Sequence, residues 1–354
     1  MRFAVVADDL SGAAEVASLA RGRGFRVELT RMQPPSADAE VWVCDTDTRD
    51  HSFESAETRI SQVADWLLEL EAPPVFKKID SVLRGHPAME SHALAGRLHR
   101  SLWIAPGNPS IHRVVRKGQL LINDIPLHQT AFALEEGGQS TTSDVRMVWG
   151  VPDAVPSAVW VEAQTEEELG KKLSGSGEAL LAGARDAFLA WPPAQSKRAA
   201  ESILPTVEAP RSLLFVCGSK TGWPDREALA LEKGWPVHVL ENLPEELPAT
   251  GVVGFGAQPA RPPRDEELAA AVAVRLHSHP PLEMAAEGGA TASALFQAMG
   301  WERFEVLATG ERGVAVVRPA GWSGRVWIKP GSYPWPQSIL SRLPDCAEEN
   351  QLGG

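Results

Sequence analysis

Three polar runs carry residue types suited to a small hydroxylated anion. The first is Ala-Asp8-Asp9-Leu-Ser11-Gly12-Ala, and the second is Cys44-Asp45-Thr-Asp47-Thr-Arg49. The third is Lys77-Lys78-Ile-Asp80-Ser81-Val-Leu-Arg84-Gly85-His86. Aspartates accept hydrogen bonds from hydroxyls, and the guanidinium of Arg84 can grip a carboxylate through two parallel donors. Plainer readings compete. An Asp pair ahead of a Ser-Gly turn is often a helix cap. Asp45-Thr-Asp47-Thr approaches the phosphatase pattern Asp-x-Asp-x-Thr, but Arg49 stands at its fifth position. Lys77 and Lys78 would suit a solvated edge equally well.

Each run follows an apolar stretch, and that placement favours a site. Phe3 to Ala7, Phe25 to Thr30, Val41 to Cys44, Pro74 to Ile79 and Leu102 to Ala105 read as strands. Helices are expected at 12–21, from Ser52 to about Glu71, and at 87–100. The second of these sets Phe53, Ala56, Ile60, Val63, Ala64, Leu67 and Leu68 on one face. Strands spaced by helices imply βαβ units and a mainly parallel sheet. Ligands bind beyond the carboxyl ends of such strands, so the three runs should meet at one edge. Gln119 to Leu127 reads as a β-hairpin turning at Asn123-Asp124. A further strand is expected at Ala158 to Glu162.

Prolines at 192, 193, 205 and 210 mark a linker, and a second α/β unit opens with the strand Ser212 to Val216. Pro-rich loops fill 243–263, with helices expected near 265–277 and 291–299. Strands are expected at Phe304 to Leu307, Val314 to Val317 and Val326 to Ile328. Glycine or serine loops punctuate this half: Cys217-Gly218-Ser219-Lys220-Thr221, Glu287-Gly288-Gly289-Ala290-Thr291, and Lys329-Pro-Gly331-Ser332-Tyr333. Glycines let backbone N–H groups approach phosphate oxygens, and a helix N-terminus favours anions. The Walker spacing Gly-x4-Gly-Lys-Ser/Thr is absent from these loops.

Bulk properties bound the partners. At 354 residues the chain suits two domains, and its formal net charge of −12 disfavours nucleic acid and anionic lipid. Three cysteines, Cys44, Cys217 and Cys346, fit no metal motif and point to a reducing, cytoplasmic setting. The run Phe3 to Ala7 is too short for a signal peptide and stops at Asp8-Asp9, and no stretch approaches a membrane span. His277 and His279, two apart at a helix end, give no persuasive metal pair, so no metal ligand is assigned.

These motifs resemble the four-carbon acid sugar kinases. Members start Ala-Asp-Asp-Leu-Thr-Gly-Ala and continue with Asp-Thr-Asp-Ser-Arg and Lys-Lys-Ile-Asp-Ser-Thr-Leu-Arg-Gly. The matching segments here are 7–13, 45–49 and 77–85. Ala105-Pro-Gly-Asn-Pro109 and the 118–130 segment are similar to the family's Pro-rich loop and hairpin. The resemblance implies an N-terminal sugar-acid-binding domain (1–203) and a C-terminal nucleotide-binding domain (208–343). It implies transfer of the γ-phosphoryl group of ATP, with Mg²⁺, to a hydroxyl of threonate, erythronate or a keto relative. Catalytic roles would fall to Asp9, Asp80 and Lys78. The sugar acid would be met by Asp8, Ser11, Gly12, Asp45, Asp47, Arg49, Ser81, Arg84 and Gly85. ATP would be met by Ser219, Gly288, Gly289, Ala290, Thr291, Lys329 and Gly331. A homodimer is left open. The chain departs from the pattern at Ala290, where many relatives are acidic, and in Lys-Pro-Gly-Ser-Tyr-Pro (329–334). It is also short between Ser219 and Gly288. A sugar-acid-binding sensor that has lost catalysis is the alternative these departures raise.

Overall fold

A run of five apolar residues with no polar side makes a strand only where both faces are covered. Phe3–Ala7 is such a strand, buried at every position. In a computed structural model of the chain it lies inside a parallel sheet, paired on both sides. The structure describes residues 1–133, 140–150, 158–195, 207, 208, 210, 212–219, 222–256, 264–278, 283–307, 313–329, 335–343 and 345. The chain divides into two compact units, Met1–Ile203 and Leu204–Gly354.

Unit 1 begins β1 (Phe3–Ala7), α1 (Leu10–Gly22), β2 (Val27–Arg31), β3 (Val41–Asp45), α2 (Phe53–Glu69), β4 (Val75–Lys78), α3 (Pro87–Arg97) and β5 (Leu102–Ala105). It continues β6 (Arg113–Arg116), β7 (Gln119–Ile122), β8 (Ile125–Pro126), α4 (Val145–Trp149), β9 (Val159–Trp160), α5 (Glu166–Leu173), β10 (Leu180–Gly183) and α6 (Arg185–Ala190). The main sheet has the order β2-β3-β1-β4-β10-β5-β9, all parallel. β6, β7 and β8 form a small antiparallel sheet, with Asn123 and Asp124 both left-handed in its tight turn as the hairpin reading requires.

α2 starts where the Ser52 hydroxyl accepts from Ser55 N. It buries Ala56, Ile60, Val63, Ala64 and Leu67. Phe53 and Leu68, expected on that face, are instead exposed. They lie toward the two helix ends, outside the buried stripe. β10 was not expected at all, and it inserts between β4 and β5. The expected strand 158–162 is only the two residues of β9.

Unit 2 runs β11 (Leu214–Cys217), α7 (Trp223–Lys233), β12 (Val237–Val239), β13 (Gly251–Gly254), α8 (Asp265–Ser278), β14 (Glu283–Glu287) and α9 (Gly289–Ala298). It ends β15 (Arg303–Leu307), β16 (Ala315–Pro319), β17 (Arg325–Lys329) and α10 (Gln337–Leu340). Its strand order is β12-β13-β11-β14-β17-β16-β15. The first five are parallel, and β16 runs against both β17 and β15. β13 lies inside the 243–263 stretch read as loop, and α7, β12 and β14 were likewise not expected.

Both units wind alike. β1 leads through α1 to β2 on one flank, while β3 leads through α2 to β4 on the other. β11, α7, β12, β13, α8 and β14 repeat that path. In each unit the winding reverses beside the first strand. That reversal opens a crevice at the carboxyl ends of β1 and β4, and of β11 and β14, where α/β sheets bind ligands.

Candidate active site

Asp8 and Asp9 leave β1 at its crevice end. Asp9 is the N-cap of α1: its carboxylate accepts from Gly12 N at 3.0 Å and from the Ser11 hydroxyl. The capping reading and the site reading therefore describe one residue. A methyl group at Gly12 would stand 2.6 Å from Asp9 Oδ1 and 3.1 Å from Lys78 Nζ, so a larger residue there would push on both side chains. Arg49 Nε and Nη2 clasp the Asp8 carboxylate at 2.9 and 3.0 Å, and Nη2 reaches Asp9 Oδ1 at 2.8 Å. The backbone holds Arg49 in place, because the N–H groups of Thr48 and Arg49 both donate to Asp8 O.

Asp80 follows β4 and takes both prongs of Arg84, Nε at 2.9 Å and Nη2 at 3.1 Å, plus Arg84 N at 3.2 Å. Gly85 turns at φ +81°, which brings Arg49 Cα within 3.3 Å of where a Cβ would sit. Lys78 Nζ donates to Ile79 O at 3.1 Å and lies 4.0 Å from Glu15 Oε2. Burial pushes the Asp9 carboxyl up, but the charges of Arg49 and Lys78 and the Ser11 hydroxyl outweigh it and hold it below its ordinary value. Arg49 and Arg84 likewise overcome burial at Asp80 and hold it far down. Three aspartates around Arg49 raise its guanidinium further, against burial. Asp8, Asp9, Ser11, Gly12, Arg49, Lys78, Asp80, Arg84 and Gly85 thus form one charge-matched cluster at the β1/β4 crevice.

Asp45 and Asp47 are bonded to Arg31 instead, although Asp45 is near enough to feel the charge of Asp9. Asp45 is fully buried and held by Arg31 at 3.1 Å, and Asp47 meets the same guanidinium at 3.2 Å from a left-handed backbone. Burial raises the Asp45 carboxyl to about 7, with Arg31 opposing. A carboxylate covered in this way has no approach for a phosphate ester, so the phosphatase reading loses its nucleophile. Ser81 binds Arg113, which no sequence signal singled out. Behind the cluster Lys77 and Glu90 form a wholly buried ion pair at 2.7 Å. The Thr48 hydroxyl donates to Glu90 at 2.7 Å, which ties α3 to the loop that carries Arg49. Glu15, Arg185 and Asp186 extend the polar edge toward β10, with Arg185 Nη1 2.9 Å from Asp186 and Nε 3.8 Å from Glu15.

In unit 2, Gly218 follows β11, and a methyl group there would collide with Asp265 Oδ1 and Thr291 Oγ1. Thr291 Oγ1 donates to Asp265 at 2.6 Å. Burial raises the Asp265 carboxyl, and this hydrogen bond pulls it back. Gly288, at φ +108°, is the N-cap of α9 and makes no side-chain capping bond, while Ala290 is exposed there. Ser219 Oγ accepts from Gly222 N at 3.1 Å. Gly288 N donates to Lys329 O, and Lys329 Nζ pairs with the buried Glu287 at 3.0 Å, which Arg226 also meets at 3.2 Å. Ser219, Gly288, Gly289, Ala290 and Thr291 therefore share the β11/β14 crevice, with Lys329 turned to Glu287. Lys220, Thr221, Gly331, His279 and Cys346 lie outside the described residues. Among the described residues no group of three or more His, Cys, Asp or Glu could hold a metal. No helix among them is long and apolar enough to cross a membrane.

Residues 3–150 match the family model described as a sugar-binding N-terminal domain. A D-threonate kinase of Salmonella typhimurium LT2 is 30% identical over 160 residues, 44% of this chain and 38% of that one. A D-threonate kinase of Cupriavidus necator is 35% identical over 135 residues, 37% of this chain and 32% of that one. A D-erythronate kinase of Heliobacterium modesticaldum is 31% identical over 137 residues, 36% and 31% of the two chains. The chain thus spans well under half the length of these relatives. Two solved structures share the fold at 16% identity. One, from Salmonella typhimurium LT2 and provisionally assigned as a tRNA synthase, has a TM-score of 0.75 over 97% of this chain and 98% of that one. The other, Haemophilus influenzae protein HI1011, has a TM-score of 0.69 over 96% and 98%.

Proposed function

We propose, for a chain whose residues 3–150 match a sugar-binding N-terminal domain, that the protein is an ATP-dependent kinase of a four-carbon sugar acid such as threonate or erythronate. The observation that carries the reading is the convergence of Asp8, Asp9 and Asp80 with Arg49, Arg84 and Lys78 on one crevice. Carboxylates there accept from sugar hydroxyls, and the cations around Asp9 and Asp80 keep those two ionised at neutral pH. The kinase relatives support the reaction type.

Phosphoryl transfer asks a protein for position and charge rather than covalent chemistry. The acceptor hydroxyl oxygen forms the new bond to the γ-phosphorus as the bond to the β–γ bridging oxygen breaks, and ADP leaves. Asp9 is assigned to orient that hydroxyl and accept its proton as the bond forms. Its depressed pKa makes it a strong orienter and a weak base, which suits a loose transition state. Lys78 and Asp80 hold the surrounding charge pattern.

The glycines at the β11/β14 crevice fit a triphosphate. A side chain at Gly218 would collide with Asp265 and Thr291, and the N-cap of α9 is a glycine that makes no side-chain capping bond, so a phosphate could approach that turn. Thr291 and Ser219 would contact the phosphates, and Mg²⁺ would neutralise them while keeping several waters. The test is a coupled assay of ADP release over D-threonate, D-erythronate and their keto relatives. Turnover that needs both ATP and one of these acids is expected. Binding of the acid with no ATP-dependent product would leave the sensor reading in its place.

A further inference from the structure

The cations around the β1/β4 crevice are almost all spoken for. Arg49 is answered by Asp8 and Asp9, Arg84 by Asp80, and Arg31 by Asp45 and Asp47. Lys77 has Glu90, Lys78 has Glu15, and Arg185 has Asp186 and Glu15. Arg113 differs: among the described residues no carboxylate lies within ion-pair distance of it. Its Nη1 donates to the neutral Ser81 hydroxyl at 2.5 Å, and its Cζ lies 4.7 Å from the centre of the Phe132 ring. Ser81 is the residue after Asp80, so the guanidinium is delivered to the carboxyl end of β4. Its backbone is pinned by paired bonds with Asn108, N to O at 3.2 Å and O from N at 2.6 Å.

We propose that Arg113 is the specificity-determining residue that grips the substrate's carboxylate. The proposal rests on the sugar-acid reading above and refines it. A half-buried guanidinium stacked on an aromatic ring, with one hydroxyl as its polar partner among the described residues, keeps several N–H donors for an anion. Arg84, the residue the sequence offered for this task, has both prongs filled by Asp80. A planar fork recognises a carboxylate by two parallel bonds and gains little from a neutral hydroxymethyl group, so Arg113 separates a sugar acid from the matching polyol.

The test uses the full chain and calorimetric titration with D-threonate, with the neutral polyol threitol, and with ATP. Losing a charge-assisted contact should weaken D-threonate binding about 10- to 150-fold in Arg113→Gln. Threitol and ATP binding and the ligand-free melting temperature should not change. Arg113→Lys keeps the charge without the fork and should fall between, which preserves a readout if the glutamine variant folds poorly. Wild-type D-threonate affinity in either variant overturns the proposal. So does a loss confined to ATP, which would give the cation to the nucleotide phosphates. If the wild type binds D-threonate through Arg113 but never turns over ATP, the kinase reading falls and this one stands. If the wild type binds no four-carbon sugar acid, both fall.

Discussion

Replacing Arg49 with Met should cost the first unit a large part of its stability, and the cost should fade in acid. Arg49 is the only side chain bonded to the Asp8 carboxylate among the described residues, and that carboxylate is 5% exposed. Removing one member of a buried ion pair typically costs about 3–5 kcal/mol, against a usual domain stability of about 5–15 kcal/mol. Asp9 would suffer less, because Ser11, Gly12 N and the Lys78 charge remain. In the wild type the folded-state pKa of Asp9 is depressed, so its ionisation stabilises the fold above its ordinary value. That gain is lost only as pH falls through the folded value. Without Arg49 the Asp9 carboxyl keeps Lys78 and Ser11 but loses the largest of its opposing charges, so burial weighs more heavily and the ionised form contributes less at neutral pH, a difference that protonation removes. Hydrogen exchange of β1 and β3 amides in the full chain, at pH 7.5 and 5.0, reads this directly. The expected outcome is a deep loss of protection at the higher pH, a smaller loss at the lower, and recovery of most of it in Arg49→Met/Asp8→Asn. A variant with wild-type protection at pH 7.5, or one equally damaged at both, refutes the charge-compensation argument.

Lys77→Met should destabilise the chain by about 3–5 kcal/mol in urea unfolding, since Glu90 would stay buried without its cation. Lys77→Met with Glu90→Leu should regain most of that, and failure to do so would mean the pair is not the cause. Gly218→Ala should weaken ATP binding while sparing D-threonate, because its methyl group displaces Thr291 and Asp265. Equal loss of both ligands would count against separate sites. The Asp45 carboxyl carbon should titrate near pH 7 by NMR rather than near 4. With its folded pKa raised, this group's contribution is full in acid and is lost as pH rises toward 7. A midpoint below 5 would remove burial as its governing influence.

The candidate site was legible where the sequence sets polar residues directly after apolar runs, as at Ala7-Asp8 and Ile79-Asp80. A parallel sheet converts those offsets into one edge, and β1, β3 and β4 do so. What failed to show was partnership across space. The pairing of Arg84 with Asp80 turns an apparent ligand grip into an internal bond, and Asp45 is committed to Arg31 by a strand register that no spacing reveals. Arg113 falls between the 105–109 loop and the 118–130 hairpin without belonging to either, and Glu90 looks like any helix acid until Lys77 is placed beneath it. Short strands were also hidden. Gly251–Gly254 has glycine at both ends, and Leu180–Gly183 is four residues whose neighbours in the sheet, Leu102–Ala105 and Val75–Lys78, come far earlier in the chain.

The late arrival of β10 has a consequence for how the first unit can be made or cut. β4 and β5 flank the place that β10 fills, so a chain halted at residue 150 holds a sheet missing an interior plank. On the ribosome that gap stays open until residue 183 has emerged. A cloned fragment should therefore run past α6, to about residue 195, if it is to be recovered as a folded piece rather than as one with two bare inner edges inviting aggregation.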